Sequence, residues 1–577
     1  MKSILLFLFL SVSLVAQNKN ADPNLLTVFE KSNGLETGTY EQVIAYYQLL
    51  AKSFPQISLD SIGMTDSGKP LHIATYNPDA LFDFEKIRAT KQIMLINNGI
   101  HPGEPDGIDA TMLLFRDLAQ GKLTIPKHTV LVTIPIYNVG GSLNRNSTSR
   151  TNQDGPIAYG FRGNARNYDL NRDFIKLDTK NARTFTQIYH LVQPAIFIDN
   201  HVSNGADYQY TLTHLFTQHN KLGGALGNYI HTEMTPSLEQ KLATRNWDIT
   251  PYVNVFNKLP EAGFSQFNDS PRYSTGYTAL FNSLGMMVET HMLKPYKPRV
   301  EGTYELIKSM LDIVERDHQK IKMLRENAMA TLQTAETYPL AWTIDTTKTS
   351  ILKFKGYEGK MVPSTITGSN RLFYDRTKPF TREVTYQNYF KPSSEVTIPK
   401  AYIIPQGWWN VIEVLKLNQV EMRILSKDTT IAVEQYKIEK FQTRKEAYEG
   451  HYQHYNTNVI ASQKDITFKK GDYLIATNQK AFRYLLETLE PVAPDSFFNW
   501  NFFDTILQQK EGFSPYVWED MAAELLKNNS ALQLKFENKK KSDIGFSNNW
   551  YAQLDWLHKQ SENYEKEHLQ YPVYRVL

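Results

Sequence analysis

One imidazole and one carboxylate stand three residues apart in His101-Pro-Gly-Glu104. The same chain carries a second histidine in Asp199-Asn200-His201 and a further carboxylate in Glu289-Thr290-His291. Nitrogen and oxygen donors of these types can converge on one divalent metal ion, and a catalytic site of that kind takes three protein ligands and keeps a position open for water. His101, Glu104 and His201 would supply two imidazoles and one carboxylate, which leaves Glu289 as a base for the water that attacks a carbonyl. Between these motifs lies Asn167-Tyr-Asp-Leu-Asn171-Arg172-Asp-Phe174. Its Arg172 offers a planar fork suited to a substrate carboxylate, with Asn171 beside it. An isolated HxxE pair arises often by chance; the weight comes from the motifs that follow it.

Such residues need a frame that holds them at one place. Ile93 to Ile96 is a short apolar run closed by Asn97, Asn98 and Gly99, which reads as a buried strand ending in a turn. From Ile108 onward Met112, Phe115 and Ala119 recur at helical spacing, with Asp106 as the expected N-cap. Three further apolar runs, Val130 to Ile136, Ala195 to Ile198 and Gly285 to Val288, also end in polar residues capable of chemistry. Strand-like runs interleaved with helical patterns predict an α/β domain with its site at one edge of the sheet. Ser58 to Ile73 reads as a hairpin turning at Asp66-Ser-Gly68, and residues 142–174 as a long polar loop carrying Arg145, Arg150, Arg162, Arg166 and Arg172. A long amphipathic helix, roughly Gly302 to Thr334, would close the domain.

Beyond Tyr338 the pattern changes. Alternating segments at Ile351 to Tyr357 and Val420 to Ile438, the latter turning at Lys427-Asp428, predict a β-rich layer, mixed with helices at Phe482 to Leu489 and Glu519 to Leu526. The aromatics between Phe497 and Phe503 read as core. His451 and His454, with no acidic or cysteine partner nearby in sequence, read as structural.

With 577 residues and 41% hydrophobic content the chain is too long for one core. A net charge of +3, from 63 basic and 60 acidic residues, points to neither nucleic acid nor a membrane surface as partner. Lys2 followed by the apolar stretch Ile4 to Val15 and the pair Ala16-Gln17 reads as an export signal cleaved near Ala16, too short for a transmembrane segment. The absence of cysteine excludes disulfides and thiolate metal sites and suits an exported, periplasmic or extracellular bacterial protein.

The succession HxxE, D-x-N-R-x-F, D-x-H and a lone Glu on a late strand resembles the zinc carboxypeptidases of the carboxypeptidase A type over roughly residues 40–335. The resemblance implies a mixed twisted sheet flanked by helices for residues 17–337, with 338–577 a separate β-rich or mixed α+β domain of unassigned role. It implies one zinc ion per chain on His101, Glu104 and His201, two histidines and a glutamate being the ligand set known for that family. It also implies cleavage of the C-terminal peptide bond of peptides with a free C-terminus, with Glu289 as general base and Asn171 and Arg172 gripping the terminal carboxylate. Arg150, in competition with Arg145, would stabilise the oxyanion, and Tyr273 or Tyr277 would close over the substrate. The residues after His201, Val-Ser-Asn-Gly, depart from the Ser-Tyr of the digestive members, so that side of the pocket is expected to be rebuilt. An N-acyl amino acid deacylase of the aspartoacylase or desuccinylase kind shares HxxE and the Asn-Arg pair, but those enzymes are generally shorter and cytoplasmic. A non-catalytic peptide-binding relative would be expected to have lost a ligand or the base, and here all four are present.

Overall fold

The computed structural model describes residues 25–577, so the export signal expected at residues 1–16 lies outside the described residues. Among the described residues, nine strands belong to the first part of the chain: β1 (Ile57–Met64), β2 (Pro70–Tyr76), β3 (Gln92–Asn97), β4 (Thr129–Ile134), β5 (Ile196–Ser203), β6 (Leu212–Phe216), β7 (Ile249–Pro251), β8 (Phe264–Ser265) and β9 (Leu284–His291). All but β8 form one eight-stranded sheet in the order β1-β2-β4-β3-β5-β9-β6-β7. Its centre, β4-β3-β5-β9, is parallel, whereas the β1/β2 hairpin and β6 join antiparallel. The sheet is therefore mixed, as the resemblance implies.

The burial pattern explains why the central strands read as apolar runs without alternation. Every residue of β3, β4 and β5 is buried, because helices cover both faces of a parallel sheet. Those helices include Tyr40–Ser53, Asp106–Ala119, Lys180–Val192 and the 38-residue Tyr296–Gln333, which starts earlier than the expected Gly302. Asp106 is not the N-cap of its helix. That position is Pro105, without a side-chain cap, and the Asp106 carboxylate instead accepts the Thr290 hydroxyl and faces Arg299 at 3.7 Å. The tertiary contact outcompetes the local one because a buried carboxylate needs a charged partner more than a helix end needs a cap. The helix also presses against β5, and a Cβ on Gly107 would lie 2.4 Å from Cβ of Asn200, so only glycine permits that approach.

The remainder of the chain is stitched to this unit. β10 (Thr337–Ile344) pairs with β13 (Phe390–Thr397), while β11 (Ser350–Pro363) and β12 (Asn370–Gln387) form a long hairpin whose second strand runs parallel to β8. A second sheet has the order β15-β18-β14-β19-β16-β17, built from β14 (Ala401–Ile404), β15 (Arg423–Ile424), β16 (Thr429–Thr443), β17 (His454–Phe468), β18 (Tyr473–Ala476) and β19 (Tyr574–Val576). The turn expected at Lys427-Asp428 is present but does not make a hairpin. β15 pairs with β18 and β16 with β17 and β19, because Asp428 accepts the amide of Lys470 at 2.9 Å and ties the turn to another part of the chain. The main hydrophobic cluster runs without a break from Phe185 and Tyr277 to Tyr402, Tyr484 and Trp500, across residue 338. Four of the aromatics predicted as core, Phe497, Phe498, Trp500 and Phe503, are fully buried in it.

Candidate active site

The candidate residues lie at the carboxyl ends of β3, β5 and β9, where parallel strands of an open sheet leave a crevice. His101 and Glu104 sit in the turn after β3. His201 and Glu289 are direct partners in the β5/β9 ladder, so neither strand has yet ended where the sequence suggested it would. Gly103 lets the turn pass under Arg150, since a Cβ there would come 2.6 Å from the arginine Cδ.

His101, Glu104 and His201 each offer one ligand atom, and these atoms lie within 4.8 Å of one another. Glu104 Oε2 is 3.3 Å from His101 Nδ1 and 3.1 Å from His201 Nδ1, and it also accepts the amide of Val202 at 3.0 Å. The far nitrogens are engaged: His101 Nε2 faces Asp169 Oδ1 at 2.9 Å and His201 Nε2 faces Asp199 Oδ2 at 3.0 Å. An ionised carboxylate only accepts, so both Nε2 atoms carry a proton, and each Nδ1, when it carries none, turns its lone pair towards Glu104. His101 Nδ1 is buried without a hydrogen-bond partner. An orphaned imidazole nitrogen facing a second imidazole and a carboxylate fits a divalent metal of the zinc type.

The two glutamates of this cavity are pushed apart in acidity. Burial would raise the Glu104 carboxyl, but Arg150, with Nη1 at 2.7 Å from Oε1, and His101 hold it well below the usual carboxylate range. Glu289 has no comparable cation. Loss of solvation, only partly offset by His201 and reinforced by Glu104, pushes it up to about 8. Burial alone would lower the His201 imidazole; Asp199 and Glu104 outweigh it and raise it well above its ordinary value. A carboxylate kept ionised beside one whose proton affinity is raised is the division of labour expected of a ligand and a base.

A cavity of about 510 Å³ opens over these groups, and its wall includes Arg150, Arg162, Asn171, Arg172, Tyr273 and Glu289. Arg145 is not in this wall; its guanidinium donates to the carbonyls of Thr37, Gly38 and Ala158. Tyr277 is also elsewhere, fully buried with its hydroxyl donating to Asn418 at 2.7 Å, because the short helix Ser274–Ala279 turns it into the core. Tyr273 precedes that helix and packs its ring on Arg172, 4.5 Å from ring centre to guanidinium. Asn171 accepts the amide of Ser274 at 3.1 Å.

Four residues went unassigned in the sequence. Asp169 and Asp199, which orient the histidines, stand inside the quoted D-x-N-R and D-x-H motifs, so a carboxylate two positions before each functional group was the available signal. Asp199 is itself held by Asn97 at 3.0 Å and Ser274 at 2.5 Å. Arg162 spans Asp169 Oδ2 at 2.8 Å and Glu104 Oε1 at 3.6 Å. Tyr252 lines the cavity from β7's far end, and burial together with the Glu289 charge raises its phenol. Nothing in the local sequence of either marks it.

Fold and site together place a group of candidate metal ligands at the carboxyl edge of an open α/β sheet. The zinc carboxypeptidase family model matches residues 43–199 of the chain. The match includes His101, Glu104, Arg150, Asn171 and Arg172 and stops short of His201 and Glu289, which the β5/β9 pairing brings to the same place. Carboxypeptidase 2 of Trichophyton rubrum is 22% identical over 447 residues, 70% of this chain and 72% of that protein. Carboxypeptidase 2 of Trichophyton equinum is 22% identical over 440 residues, 72% and 74%. Among solved structures, carboxypeptidase A from Helicoverpa armigera aligns at 15% identity over 48% of this chain and 74% of its own, with a TM-score of 0.37.

Proposed function

We propose that this chain is an exported zinc-dependent metallocarboxypeptidase that hydrolyses the C-terminal peptide bond of peptides. The observation that carries the reading is the unspent Nδ1 of His101 beside His201 Nδ1 and Glu104, in one cavity with a base and an arginine clamp. His101, Glu104 and His201 would hold one zinc ion. When bound, zinc polarises the scissile carbonyl and makes water acidic enough to lose a proton near neutral pH. Glu289 takes that proton and delivers it to the departing amine, a role suited to a carboxyl whose acidity burial has weakened. Arg172 and Asn171 hold the terminal carboxylate and so fix which bond reaches the centre. Arg150 lies close enough to the metal ligands, on Glu104, to stabilise negative charge developing on the carbonyl oxygen. Tyr273 orders Arg172 by stacking on it and lies where it can cover the bound residue. Export rests on residues 2–16, and no described helix is long and apolar enough to cross a membrane.

The deciding experiment measures zinc content and the amino acids released from a mixed peptide library, for the natural protein and Glu289→Gln. One zinc per chain and release abolished by the substitution are expected. Bound zinc without release would replace the proposal by the deacylase or the peptide-binding reading, and absence of zinc would remove the site altogether.

A further inference from the structure

The hydrolysis above leaves residues 338–577 without a part, yet one turn of that region reaches the site. The segment 444–453 joining β16 to β17 contains a tight turn, Tyr448–His451. Tyr448 donates its amide to the His451 carbonyl at 2.8 Å, and His451 returns the bond at 3.1 Å. Its central residues, Glu449 and Gly450, both have left-handed backbone, with φ of 50° and 78°. Such two-residue turns favour Asn-Gly or Gly-Gly. Gly450 is explained by space as well, since a Cβ would come 2.6 Å from the Tyr168 hydroxyl. A glutamate at the other position is disfavoured by its backbone and needs a compensating contact.

That contact is at the active site. Glu449 Oε2 accepts the amide of Asp169 at 2.8 Å. Asp169 in turn accepts from His101 and faces Arg162 at 2.8 Å and Arg172 at 3.9 Å. The rest of the turn grips the same stretch. His451 Nε2 pairs with Asp178 at 2.8 Å, the carboxylate that also anchors Lys176 at 2.7 Å. Tyr448 lies beneath Arg272, 5.7 Å from its ring centre, and Arg272 is held by Asp495 at 2.8 Å immediately before Tyr273. Both the segment that carries Asp169, Asn171 and Arg172 and the one that carries Tyr273 are thus tied to residues of the later region.

We propose that the Tyr448–His451 turn is a positioning element for the substrate-carboxylate clamp: Glu449 fixes Asp169 and, through it, the guanidinium of Arg172. On this account residues 338–577 set affinity for the peptide C-terminus and are part of the active site. The inference rests on the carboxypeptidase reading of Arg172.

The test uses full-length, zinc-loaded protein and steady-state kinetics on a peptide with a free C-terminus. Glu449→Gly removes the carboxylate while suiting the backbone, so its melting temperature should hold. Its KM should rise about tenfold, the lower end for loss of a supporting hydrogen bond, with kcat within twofold. Glu449→Gln, whose amide oxygen can still accept, should restore KM to within twofold. An unchanged KM in Glu449→Gly, a fall in kcat as large as the rise in KM, or failure of Glu449→Gln to rescue would each overturn the role of the turn. Arg172→Ala run alongside separates the two levels. If it raises KM while Glu449→Gly does not, only the turn is misassigned; if neither moves KM, the carboxylate clamp is wrong and the inference goes with it.

Discussion

Two pairs of histidines in this molecule are wired alike on one side and differently on the other. Each of the four presents Nε2 to a carboxylate: His101 to Asp169 at 2.9 Å, His201 to Asp199 at 3.0 Å, His451 to Asp178 at 2.8 Å and His454 to Asp504 at 3.1 Å. An acid partner therefore does not distinguish a candidate metal ligand. The convergence of the second nitrogen on further donors does. His454 Nδ1 is occupied by the Thr443 hydroxyl at 2.8 Å, whereas His101 Nδ1 has no partner and His201 Nδ1 meets only Glu104, the third member of the set. Among the described residues, His101, Glu104 and His201 form the group of three whose ligand atoms converge. A histidine available to a metal keeps a lone pair in reserve and faces further donors that can share the ion.

The contrast can be broken most directly at a ligand. His201→Ala is expected to bring zinc content from one per chain to none and peptide release to background, read by elemental analysis and product assay; retained zinc would end the comparison. Next in size is Glu289→Gln, which should keep zinc and lower turnover about a thousandfold, within the range for a general base. Its pH behaviour sharpens the point. Glu289 is raised from 4.5 to about 8 in the metal-free chain, so its contribution to stability is complete below 4.5 and is lost as pH climbs through 8. Chelated natural protein should therefore melt at progressively lower temperature than chelated Glu289→Gln across that window, and parallel melting curves would contradict the assigned burial.

Arg172→Ala should raise KM about 10- to 100-fold for peptides with a free C-terminus, as for loss of a charge-assisted hydrogen bond, and barely affect amidated ones. Equal effects on both would mean that Arg172 does not hold the carboxylate. Asp199→Asn, which turns the His201 acceptor into an ambiguous partner, should weaken zinc binding about tenfold in competition with a chelator. The smallest expected effect is at the structural pair. His454→Ala should leave zinc content and turnover within twofold while lowering unfolding stability by about 1–2 kcal/mol in urea titration. A loss of zinc there would erase the distinction.

Most of the central sheet was legible because its strands are buried on both faces, which writes them as apolar runs such as Ile93 to Ile96 and Ala195 to Ile198. The strands β6 and β7, at one end of the sheet, were missed; they are short and lack a distinctive pattern. The turn at Lys427-Asp428 was visible, but not that its two arms join different neighbours, since pairing depends on strands far apart in sequence. The choice between Arg150 and Arg145, and between Tyr273 and Tyr277, turned on which way a side chain leaves its segment, and no composition or spacing encodes that.

By itself the sequence determined the chemistry available: two imidazoles, two carboxylates and an Asn-Arg pair on strand ends and loops of an α/β framework. These are properties of residue type and of short-range periodicity, which a chain carries in any conformation. Only the tertiary structure decided which groups share one small volume, which histidine nitrogen is left unspent and which glutamate is held by an arginine. It also decided that Glu449 sits against Asp169. Proximity, desolvation and hydrogen-bond satisfaction are created by the packing of distant segments, so they exist only once the chain has folded.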